Sequence, residues 1–331
     1  MKIAVYTVCK NEEQFVSRWL ESCLDADYIL VTDTGSTDGT LKELSKYDRL
    51  YPHFHHNSVT ISPWRFDDAR NFSLWSLPTD IDLCISLDMD EILTEGWKQK
   101  LQAIQEQVDR VKYGYIWNFN DDGSPGTTFL SDKIHARHGM RWVNPVHEII
   151  TKDSRGEAEK QIIIEDVLIE HHADKTKSRG QYLGLLALAA FERPHDDRSA
   201  HYYARELMFY QYYEDAIKEF DRHLNLPTAT WKSERAASFR YMGDCYWALG
   251  KVESAIACFK KAVLEAPEER EAYVSIAQAH RALGNWDSVV IYANKALTIK
   301  ERPNSYISQS YAWSNWPKEM LDEATKKVNS F

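Results

Sequence analysis

The run Tyr246-Trp247-Ala248-Leu249-Gly250, followed by Ala255, Phe259 and Ala262, returns 34 positions on as His280-Arg281-Ala282-Leu283-Gly284, followed by Val289, Ala293 and Ala296. Small residues alternating with aromatics at this period let paired helices pack closely and stack on their neighbours. An earlier, longer unit places Tyr212, Ala216 and Phe220 in the corresponding roles. Almost every segment of residues 177–331 has helical period, whereas residues 1–173 alternate strand-like and helical segments. The chain therefore reads as an α/β domain over residues 1–176 followed by an all-α repeat domain over residues 177–331.

At 331 residues and 44% hydrophobic content the chain has enough apolar material for two ordinary cores. A net charge of -10 argues against a protein that coats nucleic acid, because that binding rests on Lys and Arg neutralising phosphates. The five cysteines, Cys9, Cys23, Cys84, Cys245 and Cys258, include no CxxC pair and read as reduced core thiols of a cytosolic protein. No window has the length of a membrane span, and Met1 to Val8 is β-branched like a first strand rather than a signal peptide, so a cytoplasmic protein without membrane insertion is expected. The 11 tryptophans and 18 tyrosines serve helix packing by default, with a sugar or acceptor cleft as the alternative.

Within the first part, strands are expected over residues 1–8, 28–31, 113–117 and 161–164, with helices over 11–24, 41–46 and 95–108. The apolar stretch Ile81-Asp82-Leu83-Cys84-Ile85-Ser86 runs into Leu87-Asp88-Met89-Asp90-Glu91. Two carboxylates at spacing two, delivered where a strand leaves the core, are a place to hold a hard divalent cation together with the phosphates of a substrate. Taken alone the triplet is also compatible with a solvated turn. Ligands of open α/β sheets gather at the carboxyl ends of strands, which draws Thr7, Asp33 and Asp88 toward one crevice.

Three further motifs stand in fixed order around the acidic run: Thr7-Val8-Cys9-Lys10-Asn11-Glu12-Glu13, Asp33-Thr34-Gly35-Ser36-Thr37-Asp38-Gly39-Thr40 and Phe66-Asp67-Asp68-Ala69-Arg70-Asn71. Together the four resemble the family 2 glycosyltransferases of GT-A fold, the Rossmann-like nucleotide-diphospho-sugar transferases, over residues 1–173. The second part resembles tetratricopeptide (TPR) repeats. The first resemblance implies a metal-dependent, inverting transfer from a nucleoside diphosphate sugar, a UDP-sugar suiting an Asp/Arg nucleobase site best. It implies Thr7, Glu13, Asp33 and Arg70 around the nucleoside, and Asp90 with Asp88 beside it holding Mn²⁺ or Mg²⁺ on the diphosphate and donor ribose. The acceptor hydroxyl can belong to a glycan, a protein or a modified nucleobase. The repeats then select the acceptor, mediate self-association into a homo-oligomer, or only rigidify the enzyme.

A second cluster, Trp142-Val143-Asn144-Pro145-Val146-His147-Glu148, offers Glu148 as the base that takes a proton from the acceptor hydroxyl. Of His171 and His172, where a strand ends, only one can face the metal, and His172 is the expected one. His53, His55 and His56 follow a third strand without carboxylates at ligand spacing and read as surface residues. Blander readings remain open: Asp33 and Asp38 organising a turn and capping a helix, Arg70 pairing with Asp67 or Asp68, Glu148 orienting His147, Glu91 supporting the metal site. No acid pair on the acceptor side marks the base unmistakably, so the inverting outcome rests on resemblance. Two rival functions are a non-catalytic TPR scaffold with a silent GT-A-like domain and a sugar nucleotidyltransferase. The latter lacks its triphosphate loop here, since Glu12 and Glu13 stand where phosphates would sit.

Overall fold

The computed structural model describes residues 1–153, 157–174, 180–303 and 305–329. By contact it divides into two compact units, Met1–Arg179 and Gly180–Phe331. The expected boundary between residues 176 and 177 falls outside the described residues.

The first unit begins as alternating strand and helix: β1 (Ile3–Cys9), α1 (Val16–Cys23), β2 (Tyr28–Asp33), α2 (Thr40–Asp48), β3 (Phe54–Ser58), α3 (Phe66–Trp75) and β4 (Leu83–Ser86). It continues through β5 (Glu91–Leu93), α4 (Trp97–Gln102), β6 (Arg110–Ile116), β7 (Thr128–Ala136), β8 (Met140–Val143), β9 (Ile149–Lys152) and β10 (Gln161–His171). Eight strands form one sheet in the order β3-β2-β1-β4-β7-β6-β10-β5, and β8 and β9 form a separate pair. Strands β3, β2, β1 and β4 run parallel, while β7 enters antiparallel to both β4 and β6. This is the Rossmann-like α/β arrangement expected of the first part. Between β1 and β4 the winding changes direction, and that switch opens a crevice at the strands' carboxyl ends.

Strand period explains how both faces of the sheet are covered. Ile3 and Val5 join the apolar layer of α1, whose Trp19 and Leu20 are buried there, whereas Ala4 and Tyr6 point the other way, among Leu74, Met140 and Trp142. The polar atoms that this buries are paired in a chain. Trp142 Nε1 donates to the Tyr6 hydroxyl at 2.7 Å, and that hydroxyl lies 2.8 Å from His135 Nε2. With His135 Nδ1 set 2.8 Å from the Ala136 carbonyl, the ring is the neutral tautomer, and burial pulls its pKa down to about 4.

Two local expectations are corrected. The helix expected over residues 95–108 is only Trp97–Gln102. Gly96, at a φ of 79°, starts it, and the chain must then turn toward β6, tied by the Lys160 amide on the Asp109 carboxylate at 2.8 Å. His55 and His56 do not follow a third strand but lie within β3, because pairing with β2 makes them extended. His55 stacks on Tyr28 with ring centroids 4.6 Å apart.

The second unit is all helix: α5 (Tyr182–Glu192), α6 (Asp197–Phe209), α7 (Tyr213–Asn225), α8 (Lys232–Ala248), α9 (Val252–Glu265), α10 (Arg270–Ala282), α11 (Trp286–Thr298), α12 (Ser310–Trp313) and α13 (Trp316–Val328). Three hairpins, α6/α7, α8/α9 and α10/α11, turn in the same way. Gly250 and Gly284 sit past α8 and α10 at φ of 73° and 70°, and the next amide reaches back to close the last turn, Lys251 to Tyr246 and Asn285 to His280, each at 2.9 Å. In the first hairpin that place belongs to Gln211, at a φ of 63°, with Tyr212 reaching back to Leu207 at 2.9 Å. A side chain is strained there and glycine is not. Gln211→Gly is therefore expected to stabilise the protein by about 1 kcal/mol, read as a higher urea midpoint at unchanged slope. No helix among the described residues is long and apolar enough to cross a membrane.

Candidate active site

The crevice at the β1/β4 switch is built by loops locked to one another. Asn11, at a φ of 58°, accepts from the Thr37 amide at 2.7 Å while its own amide donates to Ser36 Oγ at 2.8 Å. The loop after β1 is thereby latched to the loop after β2. Asp33, buried at the end of β2, accepts from the Gly35 amide at 2.9 Å and the Ser36 amide at 3.1 Å, so its carboxylate organises the turn. Asp38 accepts from the Thr40 amide at 3.0 Å and the Glu13 amide at 3.3 Å, and Glu13 accepts from the Gly39 amide at 3.1 Å. Gly39 is required for that contact, since a Cβ would lie 2.2 Å from a Glu13 carboxylate oxygen. Glu13 is exposed at the crevice rim. Thr7 is 0% exposed, its hydroxyl donating to the Val8 carbonyl at 3.3 Å and its carbonyl accepting from Ser73 Oγ at 3.2 Å. Its side chain is covered, whereas a direct contact with a nucleoside is expected from the motif.

Arg70 is the centre of the site. Carried on α3 and buried, it donates through Nε to Glu148 at 2.5 Å, through Nη1 to Ser86 Oγ at 3.1 Å and through Nη2 to Asp88 at 2.7 Å. Its guanidinium also lies 5.0 Å over the Trp142 ring. It makes no surface pair with Asp67 or Asp68; both of those meet Arg65 instead, at 2.9 and 3.7 Å. One planar fork thus joins the acidic run after β4 to the loop that carries Glu148. That loop is held in an uncommon shape, with Asn144 and His147 at φ of 80° and 51°, and the Phe66 amide anchors it by donating to the Pro145 carbonyl at 3.0 Å.

The other oxygen of Asp88 accepts from Lys133 Nζ at 2.6 Å. Lys133 also reaches Glu91 at 3.1 Å, and Glu91 accepts from the Tyr115 hydroxyl at 2.6 Å and the Asp88 amide at 2.9 Å. Burial alone would raise the Asp88 carboxyl, but Arg70 and Lys133 drive it well below the usual carboxylate range. Glu91, more deeply buried, is pushed up by that burial despite Lys133.

Asp90 points elsewhere. Its carboxylate is 3.7 Å from His171 Nε2, and both side chains are nearly covered, at 14% and 12% exposed. His171 Nδ1 lies 3.0 Å from the Trp117 carbonyl, and its ring packs on Trp117 at 4.5 Å. With Nδ1 on that carbonyl, Nε2 faces Asp90; burial pulls the ring's pKa down, but Asp90 and the Trp117 carbonyl hold it above the ordinary imidazole value. Of the two histidines it is therefore His171, not the expected His172, that the structure brings to Asp90. The reason is strand alternation at the end of β10: His172 gives its amide to the Asp90 carbonyl at 2.7 Å, while its ring faces Glu170 at 3.1 Å and stacks on Phe119.

Sequence reasoning missed Lys133 and Ser86. Ser86 ends β4 within the quoted run, but Lys133 comes from β7, and only the antiparallel pairing of β7 beside β4 brings it near. No local pattern announces it.

Residues 4–149 match the family model described as Glycosyl transferase family 2, and residues 242–269 match a Tetratricopeptide repeat. Among curated proteins, "Lipopolysaccharide core biosynthesis glycosyltransferase LpsC" of Rhizobium meliloti (strain 1021) is 26% identical over 113 residues, covering 34% of this chain. The aligned part spans 40% of that relative's length. Among solved structures, "Crystal structure of MamA protein" aligns with 44% of this chain and 77% of its own, at 16% identity and a TM-score of 0.33. "MamA MSR-1 C2" aligns with 36% and 66%, at 19% identity and a TM-score of 0.31.

Proposed function

We propose, from the premise that residues 4–149 are a glycosyl transferase family 2 domain, that this protein transfers a sugar from a nucleoside diphosphate sugar to a hydroxyl acceptor with inversion. The observation that carries the reading is Arg70 bonding both Asp88 and Glu148 in the switch-point crevice. Donor-side and acceptor-side carboxylates thereby stand on one guanidinium, the separation of roles that an in-line displacement needs. The rim formed by Glu13 and the Asp33 turn faces the nucleoside, with uridine as the base of choice. Asp90 and His171 are the metal ligands in this reading, a carboxylate with an imidazole whose Nε2 faces it, a donor pair that suits Mn²⁺ better than Mg²⁺. When bound, the ion supplies positive charge to the diphosphate.

In the transfer step the acceptor oxygen attacks the anomeric carbon while the bond from that carbon to the diphosphate oxygen breaks. The acceptor proton passes to Glu148, and the diphosphate leaves with the electrons of the broken bond. Lys133, beside Asp88, and Arg70 place two cations where the departing charge grows. The exposed ring of Trp117, packed on His171, gives the donor sugar an apolar wall. The helical repeats assist acceptor binding or oligomerisation.

Thermal-shift titration against UDP, GDP, CDP and TDP and their sugars, with Mn²⁺, Mg²⁺ or EDTA, tests this reading. Manganese-dependent stabilisation by one nucleotide supports it, and silence across the panel favours the scaffold. Glu148→Gln keeps an acceptor for Arg70 Nε but cannot take a proton. It is expected to lower kcat by about 10²- to 10⁴-fold with donor affinity nearly unchanged, as single-turnover kinetics and calorimetry would show. Weakened donor binding in that variant would make Glu148 a structural support instead.

A further inference from the structure

Away from the crevice, three buried side chains of the helical unit converge. His201 on α6, His223 on α7 and Glu234 in the first turn of α8 each present one ligand atom, all within 4.8 Å of one another. His223 Nε2 and the Glu234 carboxylate are 3.4 Å apart, which is the spacing of two donors on a tetrahedral ion with bonds of about 2.0–2.2 Å.

Both imidazoles are wholly buried, yet Nε2 of His201 and Nε2 of His223 have no hydrogen-bond partner. Leaving two such atoms unsatisfied is unfavourable, and native interiors rarely do so. Their other nitrogens meet on a single oxygen: Ser238 Oγ is 2.7 Å from His201 Nδ1 and 2.9 Å from His223 Nδ1. A hydroxyl oxygen can accept from both rings. With both rings donating to Ser238 from Nδ1, each Nε2 keeps a lone pair, the form in which histidine binds a metal. The carboxylate is fixed as well, by the Tyr306 hydroxyl donating to its second oxygen at 2.6 Å.

The repeat itself does not call for these residues. In register with the two hairpins that follow, the place of His201 holds Arg240 and Val274, and that of His223 holds Ala262 and Ala296. Helix stacking is satisfied by alanine where His223 stands, so packing alone does not account for it.

We propose that His201, His223 and Glu234 form a transition-metal site, with zinc the ion that two imidazoles and one carboxylate select, joining the α6/α7 hairpin to α8. The guanidinium groups of Arg205 and Arg240 bear on His201. An ion held by charge alone, such as Mg²⁺ or Ca²⁺, is therefore disfavoured, whereas coordinate bonds from imidazole nitrogen hold zinc. The site is independent of the sugar-transfer reading, because none of its residues belongs to the first unit.

The full chain, freed of any affinity tag and stripped with EDTA, is titrated with zinc chloride against a chromophoric chelator, and with cobalt(II) chloride under visible absorption. One zinc per chain, a raised unfolding midpoint, and the intense d–d bands of low-coordinate cobalt are expected. X-ray absorption at the zinc edge of the wild-type chain should show imidazole scattering, a readout that needs no variant. His223→Ala, which installs the residue of the other repeats, should abolish tight binding, and Ser238→Ala should weaken it about 10-fold or more. Asp90→Ala should leave it intact. A stripped wild-type chain that takes up no zinc overturns the proposal, as does a His223→Ala variant that binds zinc like the wild type.

Discussion

Asp90→Ala is expected to lower sugar transfer by about 10³-fold or more and to remove the manganese dependence of nucleotide binding, because a metal on the diphosphate is worth several kcal/mol of transition-state charge. Asp90 is a suitable probe because its carboxylate faces His171, at 3.7 Å, whereas Asp88 carries the bonds to Arg70 and Lys133. Circular dichroism of the variant separates loss of function from loss of fold. Calorimetry with UDP and Mn²⁺, repeated with EDTA, reads the binding part. Full activity in EDTA would shift the charge-stabilising role to Lys133 and Arg70.

Arg70→Leu should unfold more readily than any other single variant of the crevice. The substitution removes a cation from between two largely covered carboxylates and from Ser86, leaving Glu148 without its charge partner and Asp88 with Lys133 alone. Breaking a buried pair by deleting one member destabilises by about 3–5 kcal/mol, and the 30% exposure of the Asp88 side chain places the loss near the lower end. The sign of its pH dependence follows from Asp88. Its carboxyl is held below the ordinary 3.8 in the folded protein, so its stabilising effect is present above that value and fades as pH falls further. The gap between wild type and Arg70→Leu in urea midpoint should thus be widest near neutral pH and narrow below about pH 4. A gap that stays constant into acid would mean that the loss comes from packing against Trp142.

Much of this site could be read from the chain because its parts are local. Asp88, Asp90 and Arg70 each stand in a short motif at the end or start of an element, and element order alone brings such motifs to one crevice. The place of Thr7 in β1 is legible, but its covering by α3, whose Ser73 bonds its carbonyl, is not. His171 and His172 differ only in strand parity, and parity depends on where β10 starts to pair, a long-range fact. Lys133 depends on β7 inserting beside β4, which no spacing records. In the helical unit the opposite holds: period and glycine position carried over directly, and only the repeat that ends in Gln211 instead of glycine was harder to align.

The fork of Arg70 also has a consequence for timing. A guanidinium bonded to two acids at once ties their positions together, so a displacement of Asp88 is felt at Glu148. In the proposed transfer, that linkage is expected to make donor binding precede acceptor binding, which product-inhibition kinetics would check.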